Sequence, residues 1–166
     1  NVVFCNVSAV IYRWTATDNC GNVSEVTQVF NVLPDTDLPY FDAQPTVIAD
    51  INCDDTFPVQ EVLSASDNCS TTSVVPSIDA YTVDVCNGYA VTYRWTATDA
   101  CGNVSEVTQL FNVLPDTDLP YFDAQPSVIA DINCDAAFPV QDVLTASDNC
   151  STTTVVPSVD TYTVDI

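Results

Sequence analysis

The chain contains no lysine and no histidine, and its only basic side chains are those of Arg13 and Arg94. Twenty-three acidic residues oppose them, so the formal net charge of the 166 residues is −21. Nucleic acids and anionic membranes bind proteins that present a basic face, and the sequence holds no apolar run long enough to span a bilayer. We therefore expect the chain to bind no nucleic acid and to make no direct membrane insertion.

The same absences argue against catalysis. Histidine and lysine, two common acid–base and nucleophilic side chains, are missing, and no serine lies in a nucleophile-elbow motif. Adjacent carboxylates such as Asp54 and Asp55 could serve as the acid and base of a glycosidase. However, Asp55 corresponds to Ala136 in a second copy of the same segment, where the pair is therefore lost. We expect that the chain is not an enzyme.

The hydrophobic content indicates that this acidic chain is folded. Hydrophobic residues make up 47% of the sequence, and residue types that favour strands, such as valine and threonine, are abundant. No window shows the 3.6-residue apolar period of a helix. Eight cysteines occur without histidine and without a C-x-x-C pair, which favours disulfides over zinc. The composition predicts an all-β, disulfide-bonded protein from an oxidising compartment.

The sequence repeats itself with a period of about 81 residues. Residues 12–84 differ from residues 93–165 at only ten positions. Four cysteines recur at one constant offset: Cys5, Cys20, Cys53 and Cys69 correspond to Cys86, Cys101, Cys134 and Cys150. Stiff Pro-Asp connectors at residues 33–39 and 114–120 mark the boundaries. The sequence thus predicts the C-terminal part of one repeat at 1–37, a complete repeat at 38–118 and the N-terminal part of another at 119–166. We expect it to be a segment of a longer secreted polypeptide.

Each copy contains a predicted β-hairpin, which in the complete repeat is the segment YRWTATDACGNVSEV at residues 93–107. Two alternating strands flank an Asp-x-Cys-Gly-Asn corner, where Gly102 is expected to supply a positive φ. Side chains alternate along a strand, so the predicted core face carries Val91, Tyr93, Trp95, Ala97, Val107, Phe111 and Val113. Further strands are predicted at residues 40–51, 57–65, 72–78 and 81–85. Several short strands in about 80 residues are typical of an immunoglobulin-like β-sandwich.

Strand geometry restricts the cysteine pairs of the complete repeat. Cys53 and Cys69 bracket the second predicted strand, and Cys86 and Cys101 bracket the penultimate one. Bonded Cα atoms lie only about 5.5 Å apart, so neither bracket can close on itself. Since these two strands run the same way in opposite sheets of such a sandwich, we predict Cys53–Cys86 at one pole and Cys69–Cys101 at the other. An even number of strands between Cys69 and Cys86 would undo this pairing. Partners outside the segment are expected for Cys5, Cys20, Cys134 and Cys150.

Three motifs together resemble a known family. They are the hairpin YRWTATDACGN at residues 93–103, the connector DTDLP at residues 116–120 and the corner SDNC at residues 66–69. The chain resembles the HYR-type immunoglobulin-like tandem repeats of Bacteroidota cell-surface adhesins, a group that includes SprB-like gliding adhesins. The resemblance implies export to the cell surface and a filament or stalk that serves cell adhesion or gliding motility. Trp95 stands where immunoglobulin domains commonly carry the cysteine of the central bridge between the sheets.

Aspartates at the connectors and corners form a candidate calcium site. Calcium prefers six to eight oxygen ligands from carboxylates, amides and backbone carbonyls. In a sandwich, a connector enters its repeat at the pole that also holds two corners. We therefore predict calcium among Asp35, Asp37, Asp67 and Asp99, with Asn68 and Asn103 nearby, and in the next copy among Asp116, Asp118 and Asp148. Alternatively, these aspartates only cap turns through Asx hydrogen bonds, since no EF-hand spacing is present.

The sequence therefore predicts an extracellular, cell-surface role as a structural repeat of a long fibre or adhesin stalk, with joints stiffened by calcium. The expected partners are neighbouring repeats of the same chain, surface glycans or like filaments. Arg94 is expected to pair with Glu106, and Tyr40, Tyr81 and Tyr89 are candidates for exposed aromatic contacts. One alternative is a glycan- or ligand-binding module of the immunoglobulin type. A second alternative is a self-assembling filament subunit.

Overall fold

The structure is a computed structural model that describes residues 5–160. Within this range it contains strands and no helix, and none of the described residues forms a helix that is long and apolar enough to cross a bilayer. The strands are β1 (Ser8–Thr17), β2 (Val23–Val32), β3 (Tyr40–Phe41), β4 (Ala65–Ser66), β5 (Thr72–Ile78), β6 (Tyr89–Asp99), β7 (Val104–Val113), β8 (Tyr121–Phe122) and β9 (Ala146–Ser147). The all-β prediction is confirmed.

Hydrogen bonds arrange these strands in small sheets. β1 and β2 form an antiparallel hairpin in which Ser8 lies opposite Val32. β6 is the middle strand of a three-stranded sheet with β5 and β7, and Val74 of β5 lies opposite Ala97 of β6. The two-residue strands pair as β3 with β4 and as β8 with β9. β6, β7, β8 and β9 begin at the sequence counterparts of the residues that begin β1, β2, β3 and β4, so the strand order follows the sequence period.

The predicted hairpin strands and the strand at residues 72–78 are confirmed. The long strands predicted at 40–51 and 57–65 are wrong, because each contributes only two strand residues at most, apart from a bridge between Ile51 and Val113. Residues 81–85 form no strand. Two backbone carbonyl groups in residues 57–65 accept hydrogen bonds from side chains instead of from a neighbouring strand. Pro58 O accepts from the Tyr93 hydroxyl at 2.6 Å, and Glu61 O accepts from Trp95 Nε1 at 2.8 Å.

The chain divides into two compact units. The first comprises the chain up to Ile48, Pro58–Ala80 and Val91–Leu110. The second comprises Ala49–Phe57, Tyr81–Ala90 and the chain from Phe111 onward. Strands β6 and β7 therefore each contribute residues to both units. Each unit holds one of the two connectors.

The core of the first unit lies on one face of β6. Val91, Tyr93, Trp95 and Ala97 are buried there, as the alternation of side chains predicts. Leu63 is buried in the same unit. Gly102 turns the corner after β6 with a φ of +89°, which confirms the prediction for this residue, because a side chain at such a φ would be strained. The hairpin thus places Asp99, at the end of β6, at the corner.

The second unit is built around the end of β7, where Phe111 and Val113 are buried. Ile51 exchanges backbone hydrogen bonds with Asn112 and Leu114 at 3.0 and 2.8 Å. Gly88 approaches this strand so closely that a Cβ there would lie 2.8 Å from Val113 O. The backbone at Gly88 therefore excludes any side chain.

Two disulfides are present, and they differ from the predicted pairs. Cys5 is bonded to Cys101, and Cys53 is bonded to Cys150, across 96 and 97 residues. The predicted Cys53–Cys86 and Cys69–Cys101 bonds are therefore wrong, as is the expectation that Cys5 and Cys150 find partners outside the segment. Four cysteines carry exposed free thiols: Cys20, Cys69, Cys86 and Cys134.

The physical reason for this correction is the position of the connectors. The carboxylate of Asp116, in the second connector, lies within 4.8 Å of the Sγ atoms of Cys53 and Cys150. The backbone N–H of Asp116 donates to Val85 O at 2.7 Å, next to Cys86. The second connector thus lies beside the bond between Cys53 and Cys150, which come from adjoining sequence copies. The bonds therefore join sequence copies and leave each copy without an internal bridge.

Candidate cation site

Three carboxylates from separate parts of the first unit converge. Asp35 lies in the first connector after β2, Asp67 follows β4, and Asp99 ends β6. One carboxylate oxygen of each lies within 4.8 Å of the other two. Asp35 and Asp99 are buried, with 8% and 6% of their surface exposed, and Asp67 is half-buried. The structure therefore brings together three of the four aspartates predicted for this joint.

Local turns hold two of the three carboxylates in place. Asp67 Oδ1 accepts from the backbone N–H groups of Cys69 and Ser70 at 2.9 and 3.0 Å. Asp99 Oδ1 accepts from the N–H groups of Cys101 and Asn103 at 2.9 and 2.8 Å. These are the Asx hydrogen bonds that the sequence offered as the alternative interpretation. They use one oxygen of Asp67 and leave its second oxygen for another partner.

Two carboxylate oxygens in the cluster are buried without a hydrogen bond. They are Oδ2 of Asp35 and Oδ2 of Asp67. A buried anionic oxygen is costly unless a donor or a cation compensates it. Among the residues that the structure describes, Arg13 and Arg94 are the only basic side chains, and both bind carboxylates elsewhere. The cluster therefore lacks a positive partner from the described chain.

The pKa values of the clustered aspartates reflect the absence of a positive partner. Burial raises the pKa of Asp35, and the charges of Asp67, Asp99 and Asp37 raise it further. Burial also raises the pKa of Asp99, but the hydrogen bonds from Asn103, Cys101 and Gly102 together outweigh burial and leave the pKa lowered. The site thus holds one well-stabilised carboxylate and one whose ionised form is unfavourable without a cation.

The donor set suits a hard cation. All three convergent groups are carboxylates, and the side-chain amide of Asn103 donates to the backbone oxygen of Asp35 at 3.4 Å. A cleft of about 190 Å³ opens beside the cluster and is lined by Asp35, Asp37 and Cys69 together with the connector residues. Calcium accepts ligands of this kind and tolerates irregular geometry. The residues positioned to hold it are Asp35, Asp67 and Asp99.

Asp37 takes a different place from the one predicted. Its Oδ2 accepts a hydrogen bond from Asn68 Nδ2 at 2.5 Å, which joins the connector to the corner after β4. Asp37 is not among the three convergent carboxylates, although its charge raises the pKa of Asp35. Asp37 therefore influences the site through the electrostatic field of its charge, and its hydrogen bond with Asn68 fixes the position of the connector.

The second connector repeats part of this arrangement in the second unit. Asp148 Oδ1 accepts from the N–H groups of Cys150 and Ser151 at 3.0 and 2.9 Å. Among the causes that lower the pKa of Asp148, the hydrogen bond from Cys150 is the largest and one with Asp116 is the smallest. Asp118 accepts from Asn149 at 2.8 Å. Asp118 therefore takes the place that Asp37 has in the first connector, whereas the carboxylate of Asp116 lies beside the sulfurs of Cys53 and Cys150.

One further cluster contains metal-ligand residue types but is not a cation site. The Sγ atoms of Cys53 and Cys150 lie near the carboxylate of Asp116. Both sulfurs belong to the same disulfide, so neither is available as the thiolate that a metal would require. This cluster is a covalent joint.

The structure also shows a contact that the sequence prediction missed. Arg94 binds Glu106 across the hairpin at 2.5 Å, as predicted, but it also binds both carboxylate oxygens of Asp79 at 2.8 and 2.9 Å. Its pKa is raised by the hydrogen bonds with Asp79 and Glu106. No local sequence signal marks this contact, because it depends on the antiparallel register of β5 with β6, which brings Asp79, directly after β5, close to Arg94.

The predicted surface aromatics have two kinds of environment. Tyr40 is exposed. Tyr81 stacks on Tyr89 at 5.7 Å and on Phe57 at 6.4 Å within the second unit. It nevertheless remains 43% exposed.

No protein-family model matches the chain, and no curated protein sequence matches it.

Proposed function

We propose that the chain is a non-catalytic spacer segment of an extracellular fibre or adhesin stalk. In this proposal it consists of immunoglobulin-like repeats of about 81 residues, whose joints are closed by disulfides and by calcium. The observation that carries the proposal is the pairing of the cysteines, since each disulfide joins two different copies of the repeated sequence. Disulfides are typical of proteins from oxidising compartments, which supports a location outside the cell.

The two disulfides close overlapping loops. The first loop runs from Cys5 to Cys101 and the second from Cys53 to Cys150. A pulling force applied to the ends of the chain can cross by either bond, and each bond shortens the loaded path by about 96 residues. Between Cys5 and Cys150 the force divides over three routes: residues 5–53, residues 101–150, and residues 53–101 between the two bonds. The covalent pattern therefore resists extension even where the folded structure opens.

An array with the same pattern at every joint would transmit force along a short path. From the bond at Cys101, the path runs back along β6 to Cys86 and crosses to the next copy there. Only residues 86–101 of each repeat lie on this path, about 50 Å of extended chain, against about 275 Å for a whole repeat. A fibre built in this way keeps its length under load. This is the property that a spacer needs to hold a distant site at a fixed reach.

Calcium would act at the same joints. A cation bound by Asp35, Asp67 and Asp99 would join the first connector to the corners after β4 and β6, and it would compensate the two unpaired carboxylate oxygens. It would also offset part of the net charge of −21, which otherwise favours repulsion within the fold. The support for this part of the proposal is the buried, unpaired Oδ2 of Asp35.

Single-molecule force spectroscopy tests the mechanical proposal. The chain is held by handles at its two termini and stretched with its disulfides intact, and again after reduction. Reduction should add about 96 residues to the fully extended length, roughly 330 Å at about 3.4 Å per residue. Equal extended lengths before and after reduction would contradict the proposed load path.

A further inference from the structure

The dipeptide formed by Asn87 and Gly88 occurs once in the chain. Every other asparagine is followed by valine or by cysteine. Asn87 is exposed and lies in the loop that precedes β6. When glycine follows asparagine, its backbone nitrogen can approach the side-chain carbonyl carbon of the asparagine, because glycine has no Cβ to obstruct the approach. The dipeptide is therefore a candidate site of covalent modification.

The fold requires glycine at position 88. Gly88 has a φ of +76°, which strains other residues, and a Cβ there would lie 2.8 Å from Val113 O and 3.1 Å from Pro115 Cδ. The first sequence copy carries Val7 at the equivalent position, and no non-glycine residue in the described range 5–160 has a positive φ. The reactive dipeptide is therefore a consequence of how this loop packs against the end of β7 and the second connector.

The position of Asn87 is accessible both beside a free cysteine and beside a bonded one. Cys86 is free, and Asn87 next to it is exposed. Cys5, the counterpart of Cys86, is bonded to Cys101, and Asn6 next to it is exposed as well. Water therefore reaches this position whether or not the preceding cysteine is part of a disulfide.

Asp84 binds Asn87 twice. Its Oδ1 accepts from the backbone N–H of Asn87 at 3.1 Å, and its Oδ2 accepts from Asn87 Nδ2 at 3.0 Å. The side-chain hydrogen bond is the largest cause that lowers the pKa of Asp84, so the acceptor is an ionised carboxylate at neutral pH. An ionised carboxylate orients the amide but has no proton to give to a departing nitrogen. Asp84 therefore holds the amide of Asn87 in place.

We propose that Asn87 is a site of spontaneous deamidation, which proceeds through a succinimide formed with Gly88, and that Asp84 slows the reaction. Hydroxide removes the proton of the Gly88 N–H, and the nitrogen attacks Cγ of Asn87. The bond between Cγ and Nδ2 breaks with its electron pair on Nδ2, which takes up a proton from the solvent and leaves as ammonia. Water then opens the ring at either carbonyl to give aspartate or isoaspartate. One water is consumed and one ammonia is released, and nothing is oxidised or reduced.

The modified loop lies against the second connector within the second unit. The backbone N–H of Asp116 donates to Val85 O at 2.7 Å, and Gly88 packs against Val113. Isoaspartate adds one atom to the backbone just before Gly88, whereas aspartate places a second carboxylate beside Asp84 in place of an amide donor. Deamidation should therefore loosen the contact between loop and connector. This consequence concerns a joint of the proposed fibre, whereas the modification itself does not depend on the proposed function.

Incubation of the chain with its disulfides intact, in a mildly alkaline buffer, tests the modification. Asn87→Gln is the matched variant, because it keeps a carboxamide but can cyclise only through a larger ring, which forms more slowly. Ion-exchange chromatography separates species that have gained negative charge. Peptide mapping by mass spectrometry identifies the deamidated residue, and enzymatic methylation distinguishes isoaspartate from aspartate.

We expect Asn87 to lose its amide before any other asparagine, with aspartate and isoaspartate as products. Asn6, which precedes Val7, should keep its amide over the same period. The first acidic species should be absent from Asn87→Gln. Earlier deamidation at another asparagine, or the same acidic species in Asn87→Gln, would overturn the proposal.

Asp84→Ala tests the protective role of the aspartate. This variant should deamidate faster at Asn87 than the unmodified chain does, because it lacks both hydrogen-bond acceptors. Asp54→Ala is the matched control, since Asp54 is also exposed and lies outside this loop. In concentrated urea, Asp84→Ala and the unmodified chain should react at equal rates, which separates the effect of the folded loop from that of the sequence. An unchanged or slower rate in folded Asp84→Ala would exclude the protective role.

Amide hydrogen exchange tests the consequence for the connector. The backbone N–H of Asp116 should exchange faster in the purified isoaspartate form than in the intact chain. Asn87→Asp should lower the urea midpoint more than Asn6→Asp does, because the counterpart of Asp84 in the first copy is Val3. Salt should reduce this difference by screening the two carboxylates.

Equal exchange of the Asp116 N–H in the two forms, or equal urea midpoints in the two aspartate variants, would overturn the effect on the connector. The extended lengths in the force measurement depend on the disulfides and not on Asn87. A failure of this inference is therefore distinguishable from a failure of the proposed function.

Discussion

Cys101, at the corner between β6 and β7, is bonded to Cys5, which precedes β1 and lies 96 residues earlier in the chain. The loop that they close overlaps the loop between Cys53 and Cys150 from residue 53 to residue 101. Every position from residue 5 to residue 150 therefore lies inside at least one closed loop. Each bond also lies within a single compact unit.

The overlap predicts that either disulfide alone limits the extension of the chain. Cys5→Ser with Cys101→Ser leaves the Cys53–Cys150 bond, which still bypasses 97 residues. The fully extended length in force spectroscopy should then equal that of the unmodified chain. Replacement of all four bonded cysteines (Cys5, Cys53, Cys101 and Cys150) by serine should increase the fully extended length by about 330 Å. A full increase on removal of a single bond would show that the loops do not overlap as the structure has them.

Asp35→Asn should change stability in opposite directions with and without calcium. The folded state raises the pKa of Asp35, so it binds a proton more tightly than the unfolded state. Ionisation of Asp35 therefore opposes folding above that pKa, and the cost is relieved as the pH falls through it. Without calcium at pH 7, the variant should melt at a higher temperature than the unmodified chain.

With millimolar calcium, the unmodified chain should gain thermal stability, because a ligand that binds the folded state stabilises it. Asp35→Asn should lose most of this gain. Asp54→Asn is the matched control, since Asp54 is an exposed aspartate outside the cluster. Differential scanning calorimetry with calcium and with a chelator measures both effects. An equal calcium-dependent gain in Asp35→Asn would exclude Asp35 as a ligand.

The contact between Arg94 and Asp79 should make the fold sensitive to acid. The hydrogen bond from Arg94 lowers the pKa of Asp79, so the stabilisation is present above the ordinary value of 3.8 and is lost as the pH falls through the lowered pKa. Asp79→Asn should lower the urea midpoint at pH 7 and flatten its acid dependence. Glu25→Gln, which breaks the more exposed pair with Arg13, should have the smaller effect. Equal decreases of the urea midpoint in the two variants would show that the contact of Arg94 with Asp79 contributes little to stability.

The two tryptophans provide a matched pair for the core. Trp95→Phe removes the hydrogen bond to Glu61 O and leaves a gap in a buried site, which should cost about 1–3 kcal/mol of unfolding free energy. Trp14→Phe in dilute, reduced monomer should cost less than about 0.5 kcal/mol, because Trp14 is exposed. Urea titrations followed by circular dichroism give both values. A larger loss from Trp14→Phe would show that the first hairpin is packed in the monomer.

Much of the local structure could be predicted from the sequence. The alternation of apolar residues located the buried face of β6, and the Asp-x-Cys-Gly-Asn pattern located its corner. The chain order of connector and corners also indicated that Asp35, Asp67 and Asp99 would meet, as they do. By contrast, residues 40–51 and 57–65 resemble strands because their apolar content is high. In the second segment, however, the Pro58 and Glu61 carbonyls accept hydrogen bonds from side chains of β6 and not from a neighbouring strand.

The disulfide partners lay beyond sequence reasoning for a different reason. Equivalent cysteines in the copies have almost identical neighbours, so no local feature distinguishes a partner in the same copy from one in the next. Asp79 was missed because its meeting with Arg94 depends on the register of β5 against β6. Both contacts depend on distance in space between residues that are far apart in the chain.

By itself, the sequence determined the alternation of the strands, the glycine corner and the Asx turns, because the interactions involved reach only a few residues along the chain. Only the tertiary structure decided which thiols are bonded and which hairpin is covered. In a chain that repeats its own sequence, each group has two equivalent partners that lie one repeat apart. Packing at the connectors chooses between them.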